Sequence, residues 1–550
     1  MVRQAFFTNL TTKLRNFEND NQACHYLKRF GIRLVTRKTI TQLQSEAENT
    51  NELKRTLSSF QVMALGIGSI IGTGIFVLSG EAAAKYAGPA VIVSFIIAAI
   101  VAGLAAFSYA EMSSMVPISG SAYSYTYATM GEYLAWIIGW DLILEYLLAA
   151  ATVAVGWSGY VVHFIETISK HNATRSIVQA PIAWSDDSNS FYVTGKVINL
   201  PAVVIIIALT ILLVIGIGES AKVNIVIVVI KILVVLLFIF ACCGYTKRSN
   251  YSPFFPPNEG SFNRYGVTGM LHGATVVFFA YIGFDSVTTT AQETKNPQRS
   301  MPIGIIGSLS ISTVLYIGVC AVMVGIVPYK TLDSPSPISE AIKGTPHGIW
   351  LPIIIDLGAI AGLTSVSLVS LLGQSRIFYS MARDGLLPSV FANVHHRTKT
   401  PWISTIIIGL VCAIFAAVLP LGILGEMTSI GTLVAFFLVH ISVIIMRFTH
   451  KEVPRGFLVP FGPWILPPIG ALLCILLMVS SSKETGIRLA VWMGIGQIVY
   501  FTYGFWHSKL RYSQRLNSSM GIDNFATEFD TQSPKYEHAS EMVVFNEEKL

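Results

Sequence analysis

Between Phe60 and Trp506 the sequence returns twelve times to an apolar stretch long enough to cross a membrane. A helix rises about 1.5 Å per residue, so about 20 such residues span a ~30 Å hydrocarbon layer. Inside lipid every main-chain N–H and C=O must find a partner within the protein, which restricts these runs to helices. Spans are expected at 59–79, 88–110, 133–161, 198–217, 223–243, 267–287, 303–326, 350–373, 402–422, 427–446, 462–481 and 488–506. Only 12% of the 550 residues are charged and 53% are hydrophobic, whereas a soluble domain carries about 25% charge. A single soluble core is excluded, and the expected fold is an all-α polytopic membrane protein of 12 transmembrane helices.

Charge distribution orients the spans. With both termini inside, 25 of the 37 Lys and Arg fall in cytosolic segments and 11 outside, with Lys231 within a span; the positive-inside rule favours that topology. Residues 1–58 and 507–550 are polar extensions without a core of their own. Residues 1–17 alternate Arg3, Lys13 and Arg15 with Phe6, Phe7, Leu10, Leu14 and Phe17, a pattern expected of a helix lying on the cytosolic membrane surface, with a targeting segment as the alternative. The first long apolar run begins only near residue 60, so the first span is expected to act as the signal. Of the sequons at Asn9, Asn172, Asn250 and Asn517, this topology places Asn172 and Asn250 outside, with Asn172 the better glycan acceptor.

Several function classes find no support. The net charge of +6 is not arranged as a basic stripe interleaved with aromatics, so no nucleic acid partner is expected. The cysteines lie singly or as the pair Cys242-Cys243 in apolar runs, and His395-His396 has no acidic or cysteine neighbour, so neither a metal site nor a disulfide framework nor a cofactor is expected. Neither G-x-S-x-G nor H-E-x-x-H occurs, which argues against a membrane enzyme.

Glycine placement is more informative. Span 1 reads Gly66-Ile67-Gly68-Ser69-Ile70-Ile71-Gly72-Thr73-Gly74, and span 6, five spans later, reads Phe279-Ala280-Tyr281-Ile282-Gly283-Phe284-Asp285. Each interior glycine weakens a helix by about 1 kcal/mol. Close packing through Gly68-x-x-x-Gly72 explains a lone case, but interruptions at equivalent places in two five-span halves point to a transporter with a site between inverted repeats. Unwound turns leave N–H groups for a carboxylate and C=O groups for an ammonium, so an amino acid is the expected substrate.

Ionisable residues inside spans supply the second clue. Lys231 stands nine residues into span 5, roughly 13 Å from its inner end, where a charged lysine costs about 2.5–3.5 kcal/mol. It is read as a residue that takes up and releases a proton during transport, against a fixed Lys–carboxylate pair. Asp141 and Glu145 share one face of span 3; which of them, if either, approaches Lys231 is open, and a structural hydrogen-bonding role stands beside proton relay, with Glu145, the deeper, ranked first for coupling. Asp285 is expected to cap the second half of span 6, and Asp356 and His440 to be satisfied by neighbours.

From about residue 55 to 506 the sequence resembles the amino acid–polyamine–organocation superfamily, and within it the cationic amino acid transporter-like permeases. The landmarks are Ile71-Gly72-Thr73-Gly74-Ile75-Phe76, Phe107-Ser108-Tyr109-Ala110-Glu111 through Gly120-Ser121-Ala122-Tyr123, Gly139 to Tyr146, Phe279 to Asp285, Asn296-Pro297-Gln298-Arg299, Met381-Ala382-Arg383-Asp384-Gly385-Leu386-Leu387-Pro388 and Ser429-Ile430-Gly431-Thr432-Leu433. The resemblance implies a 5+5 inverted repeat like that of the bacterial leucine transporter, with segments 59–243 and 267–446 as the repeats and 462–506 as two additional helices. It implies alternating access, Gly72, Thr73 and Gly74 holding the substrate carboxylate, and the carbonyls of Ile70, Phe279, Ala280 and Ile282 receiving the ammonium. Lys231 matches the span 5 lysine of proton-coupled bacterial relatives, hence proton symport; Leu363, Thr364 and Ser367 of span 8 are expected at the side-chain pocket. Twelve spans instead of the fourteen of mammalian members leave cationic selectivity open. The expected setting is the plasma membrane, with the vacuolar membrane as the alternative, and the rival functions are an exchanger with little proton coupling and a non-transporting sensor.

Overall fold

The computed structural model describes residues 36–39, 57–118, 120–169, 180–185, 190–215, 221–396, 398 and 400–510. The chain divides into two units, Met1–Trp506 and His507–Leu550; the helices below belong to the first. The amphipathic stretch 1–17, the sequons at Asn9, Asn172 and Asn517 and the tail beyond 510 lie outside the described residues. Asn250 is described, and its side-chain amide donates to Gly325 O at 2.8 Å.

The main helices are α1 Ser59–Ile70, α2 Val91–Met115, α3 Glu132–Ser169, α4 Leu200–Ile215, α5 Ala221–Cys242, α6 Gly266–Phe278, α7 Pro297–Ile326, α8 Leu351–Arg383, α9 Trp402–Val418, α10 Leu421–Thr449, α11 Leu466–Ser480 and α12 Lys483–Val499. Short helices fill several connections, and one antiparallel hairpin, β1 Ile182–Ser185 with β2 Ser190–Val193, lies between α3 and α4. Among the described residues eight helical stretches are long and apolar enough to cross a membrane, while α1, α4 and α9 are apolar but shorter. The chain is an all-α polytopic membrane protein.

Local chemistry sets the helix ends nearest the site. Ser58 and Gln61 form a reciprocal capping box that starts α1, and Pro297 opens α7 where a missing N–H costs nothing. Packing then follows the small residues. A Cβ at Gly358 or Gly362 of α8 would meet Val234 or the stem of Lys231, so bare backbone lets α5 lie close. The principal pairs are α8 on α3, α7 on α2 and α1, α10 on α3 and α11, α9 on α4, α6 on α2, and α5 on α8 and α1.

Candidate functional site

Both glycine-bearing spans are interrupted. Ile71 N–H closes the last turn of α1 onto Ile67 O at 3.0 Å, and Ile71 is itself extended. The ladder resumes with the N–H groups of Ile75 and Phe76, both 3.2 Å from Gly72 O, and coiling continues through Gly74–Leu78, Ser79–Ala82 and Ala83–Ala87. The main-chain donors of Gly72, Thr73 and Gly74 therefore fall between two ladders. After α6, a 3-10 turn at Phe279–Tyr281 gives way to extended Ile282 and to Gly283 at φ +118°, before a second 3-10 stretch at Asp285–Glu293.

The two breaks touch. A Cβ at Gly74 would collide with the main chain of Ala280, and one at Gly283 would lie 2.8 Å from Ser69 O, so each glycine admits the opposite segment. Tyr316 of α7 stitches them together: its hydroxyl lies 2.7 Å from Ile70 O and 2.9 Å from Ala280 O, one proton shared between two carbonyls.

Beside the breaks is a partly open cavity, with about 480 Å³ free of protein atoms when the open solvent at its mouth is counted. Ser69, Ile70, Gly72, Thr73 and Gly74 line one wall, Phe279, Ile282, Gly283, Asp285 and Ser286 another. Glu145, Tyr146, Ala149 and Val153 of α3, and Val366, Val369 and Ser370 of α8, complete it. Of the seven residues expected at the substrate, six line this cavity. The seventh, Ala280, packs behind it with its carbonyl facing Tyr316. The expectation for α8 needs correction. Leu363, Thr364 and Ser367 are not on the wall: Thr364 accepts from Trp157 Nε1 at 3.0 Å and Ser367 donates to Ala150 O at 3.4 Å. The lining begins about one turn further along, at Val366 and Ser370.

Lys231 is fully buried, without the snorkelling that a surface lysine would show. Its Nζ donates to Gly68 O at 2.6 Å and Ile71 O at 3.0 Å. Those carbonyls close the C-terminal end of α1, where the break frees them and the helix dipole is negative. Neither span 3 acid is its hydrogen-bond partner, so the pairing left open by the sequence resolves to main chain. Glu145 lies on the cavity wall, and neither of its oxygens has a hydrogen-bond partner among the described residues; Thr432, nearby, donates to Thr428 O. Asp141, one turn back, is buried and likewise without a partner among the described residues.

Asp285 is the first residue of the second half of span 6 and not its expected cap: Phe284 holds that place without a side-chain capping bond, and Asp285 accepts from Gly283 N–H, before the helix, at 3.2 Å. It also accepts from Tyr146 OH at 2.8 Å and faces the cavity. Neither Tyr146 nor Tyr316 is among the site residues expected from the sequence. Tyr146 was reachable by following the α3 face through 145, 146, 149 and 153, the spacing of a single helical stripe. Tyr316 is one tyrosine in an aliphatic run and carries no such signal. Asp356 is satisfied by His163 at 2.7 Å and by Ser339, and His440 Nδ1 by Ser108 at 2.8 Å. No cluster of His, Cys, Asp and Glu fit for a metal occurs among the described residues.

Residues 57–503 match the family model described as amino acid permease. The methylthioribose transporter of Bacillus subtilis is 44% identical over 87% of this chain and 99% of its own length. The branched-chain amino acid permease BcaP of the same organism is 43% identical over 86% and 98%, and cationic amino acid transporter 3, mitochondrial, of Arabidopsis thaliana is 39% identical over 76% and 68%. The chain belongs to the amino acid permease family, and it is a membrane transporter, not an enzyme.

Proposed function

We propose that this permease moves amino acids by proton symport, through alternating access in a twelve-span chain of two inverted five-helix repeats plus α11 and α12. Both termini lie in the cytosol, and the host membrane is the plasma membrane. The packing pairs support the repeat. Exchanging α1–α5 for α6–α10 turns α1 on α7 into α6 on α2, and α5 on α8 into α10 on α3, and both members of each exchange are principal contacts.

The observation that carries the transport reading is that both interruptions open onto one cavity, while Lys231 grips the last carbonyls of the first. In this reading the N–H groups of Gly72, Thr73 and Gly74, at the positive end of the following half-helix, take the substrate carboxylate. The carbonyls of Ile70, Phe279 and Ile282, with Asp285 and Glu145 adding negative charge, take the ammonium. Lys231 is not on the wall. Its proton is felt through residues 68–71: the ammonium fastens the end of α1, and the neutral amine releases it, so protonation and substrate binding shape the same turn. Glu145 is the second proton-coupling residue.

Two side-chain classes fit different parts of the cavity. Ala149, Val153, Phe279, Val366 and Val369 give an apolar wall suited to a branched aliphatic side chain, as the name of BcaP would suggest. The unpartnered Glu145 favours a cationic one, as the name of the plant relative would suggest. Uptake into proteoliposomes of one tracer, challenged with unlabelled amino acids and methylthioribose, decides between them. Accumulation that follows an imposed pH difference marks symport; exchange indifferent to it marks an exchanger, and binding without uptake marks a sensor.

A further inference from the structure

Three acids, Asp141, Glu145 and Asp285, gather beside the cavity, and the protein provides for them differently. Asp285 has donors of its own in Tyr146 OH and the Gly283 N–H. Glu145 and Asp141 have none among the described residues, although both are at most 1% exposed. Glu145 lies on the cavity wall and Asp141 does not. In the proposed topology α3 starts at the cytosolic face, which puts Asp141 one turn, about 6 Å, nearer the cytosol than Glu145.

A carboxylate without donors or a counter-charge is costly to bury and is neutralised by a cation or by a proton. Lys231, the buried cation of the site, is already held by Gly68 O and Ile71 O. A substrate ammonium can meet Glu145 on the wall, but Asp141 is closed off by α10, where a Cβ at Gly431 would lie 3.1 Å from its Oδ1. No group of His, Cys, Asp and Glu fit for a metal occurs among the described residues, and a proton needs no such room.

A buried tyrosine connects the two acids. Tyr109 of α2 stands among Asp141, Glu145, Asp285 and Tyr125, fully buried, and its hydroxyl has no partner among the described residues. Phe284 and Phe436 wall its ring at 5.6 and 5.4 Å between centroids. The titratable groups facing the pair are Tyr109, Tyr125 from the short helix Ser121–Thr129, Asp285 from span 6 and Tyr146 from α3 itself. Gly431 and Thr432 of α10 and Val366, Val369 and Ser370 of α8 carry no charge. A tyrosine hydroxyl both accepts and donates, so it can take a proton from one acid while giving its own to the other.

We propose that Asp141 is the inner proton acceptor of the transport cycle, receiving through Tyr109 the proton that Glu145 gives up when a substrate ammonium occupies the cavity. The inference rests on the proton-symport reading. The Glu145 carboxyl proton goes to the Tyr109 oxygen, the Tyr109 hydroxyl proton goes to an Asp141 oxygen, and Glu145 is left as the anion that faces the ammonium. The two acids hold one proton between them before and after the step. Asp141 releases it once the cytosolic face opens.

The test uses the full chain in proteoliposomes with L-leucine and L-arginine as tracers. Accumulation driven by an imposed pH difference is compared with counterflow at equal pH, which needs no net proton movement. Asp141→Asn and Tyr109→Phe are each expected to cut accumulation about tenfold or more, the scale of a lost proton-transfer group, and counterflow by less than about threefold. In infrared difference spectra recorded on adding the transported amino acid, the parent should show one carboxyl losing a proton and one gaining it, and Asp141→Asn should lack the gain. Where Asp141→Asn is not monodisperse, Tyr109→Phe decides. Accumulation at the parent's level, or an equal fall in accumulation and counterflow as a merely structural contact would give, overturns the relay and leaves symport standing. A gain of the carboxyl proton that survives in Asp141→Asn does the same. A parent that counterflows without accumulating, or moves neither tracer, overturns the symport reading as well.

Discussion

The two interrupted spans look alike in sequence and are held in opposite ways. At the first, the freed carbonyls of Gly68 and Ile71 go to the ammonium of Lys231, a charge borrowed from another helix. At the second, the Ala280 carbonyl goes to the neutral hydroxyl of Tyr316 and the Gly283 N–H to Asp285, two residues on. The lysine clamp belongs to the first break alone, while the Tyr316 hydroxyl, shared by Ile70 O and Ala280 O, belongs to both. In the proposed mechanism that difference gives proton coupling to the first break, while both breaks hold the substrate.

The comparison breaks most sharply at Lys231. Lys231→Met is expected to abolish accumulation driven by a pH difference while retaining measurable substrate binding, read by tracer uptake beside equilibrium binding. Substituting a second-break residue must not reproduce that split. Gly74→Ala and Gly283→Ala come next, because each forces a methyl into the facing break, and at Gly283 also into a left-handed backbone; each should cut uptake at least tenfold and lower stability by about 1–3 kcal/mol in thermal unfolding. Tyr316→Phe removes only the shared hydroxyl proton and should raise KM about tenfold with pH dependence intact. Val366→Ala should be mildest, shifting preference among neutral side chains about tenfold, the scale of a methylene or two in an apolar pocket.

What could be read in advance follows from what each physical signal encodes. Apolar runs of span length announce helices with little ambiguity, and glycines flanked by polar residues at mid-run announce their interruption. Six cavity residues were therefore legible without coordinates. The partner of Lys231 was not, because a search for opposite charge looks among side chains, whereas this cation is met by main-chain oxygens that exist only once α1 has ended. The α8 lining was misplaced by about a turn, since Leu363 and Val366 are equally apolar and nothing in either says which turn faces the cavity. Tyr316 depends on Ile70, 246 positions away, a relation that no local pattern contains.

The most direct test is a density map of the purified permease loaded with its transported amino acid, at a resolution that orients the substrate. The carboxylate is predicted within hydrogen-bond distance of the N–H groups of Gly72 to Gly74, with the ammonium toward the carbonyls of Ile70, Phe279 and Ile282. A substrate held by side chains away from both breaks, or breaks wound into continuous helix around it, would contradict the account.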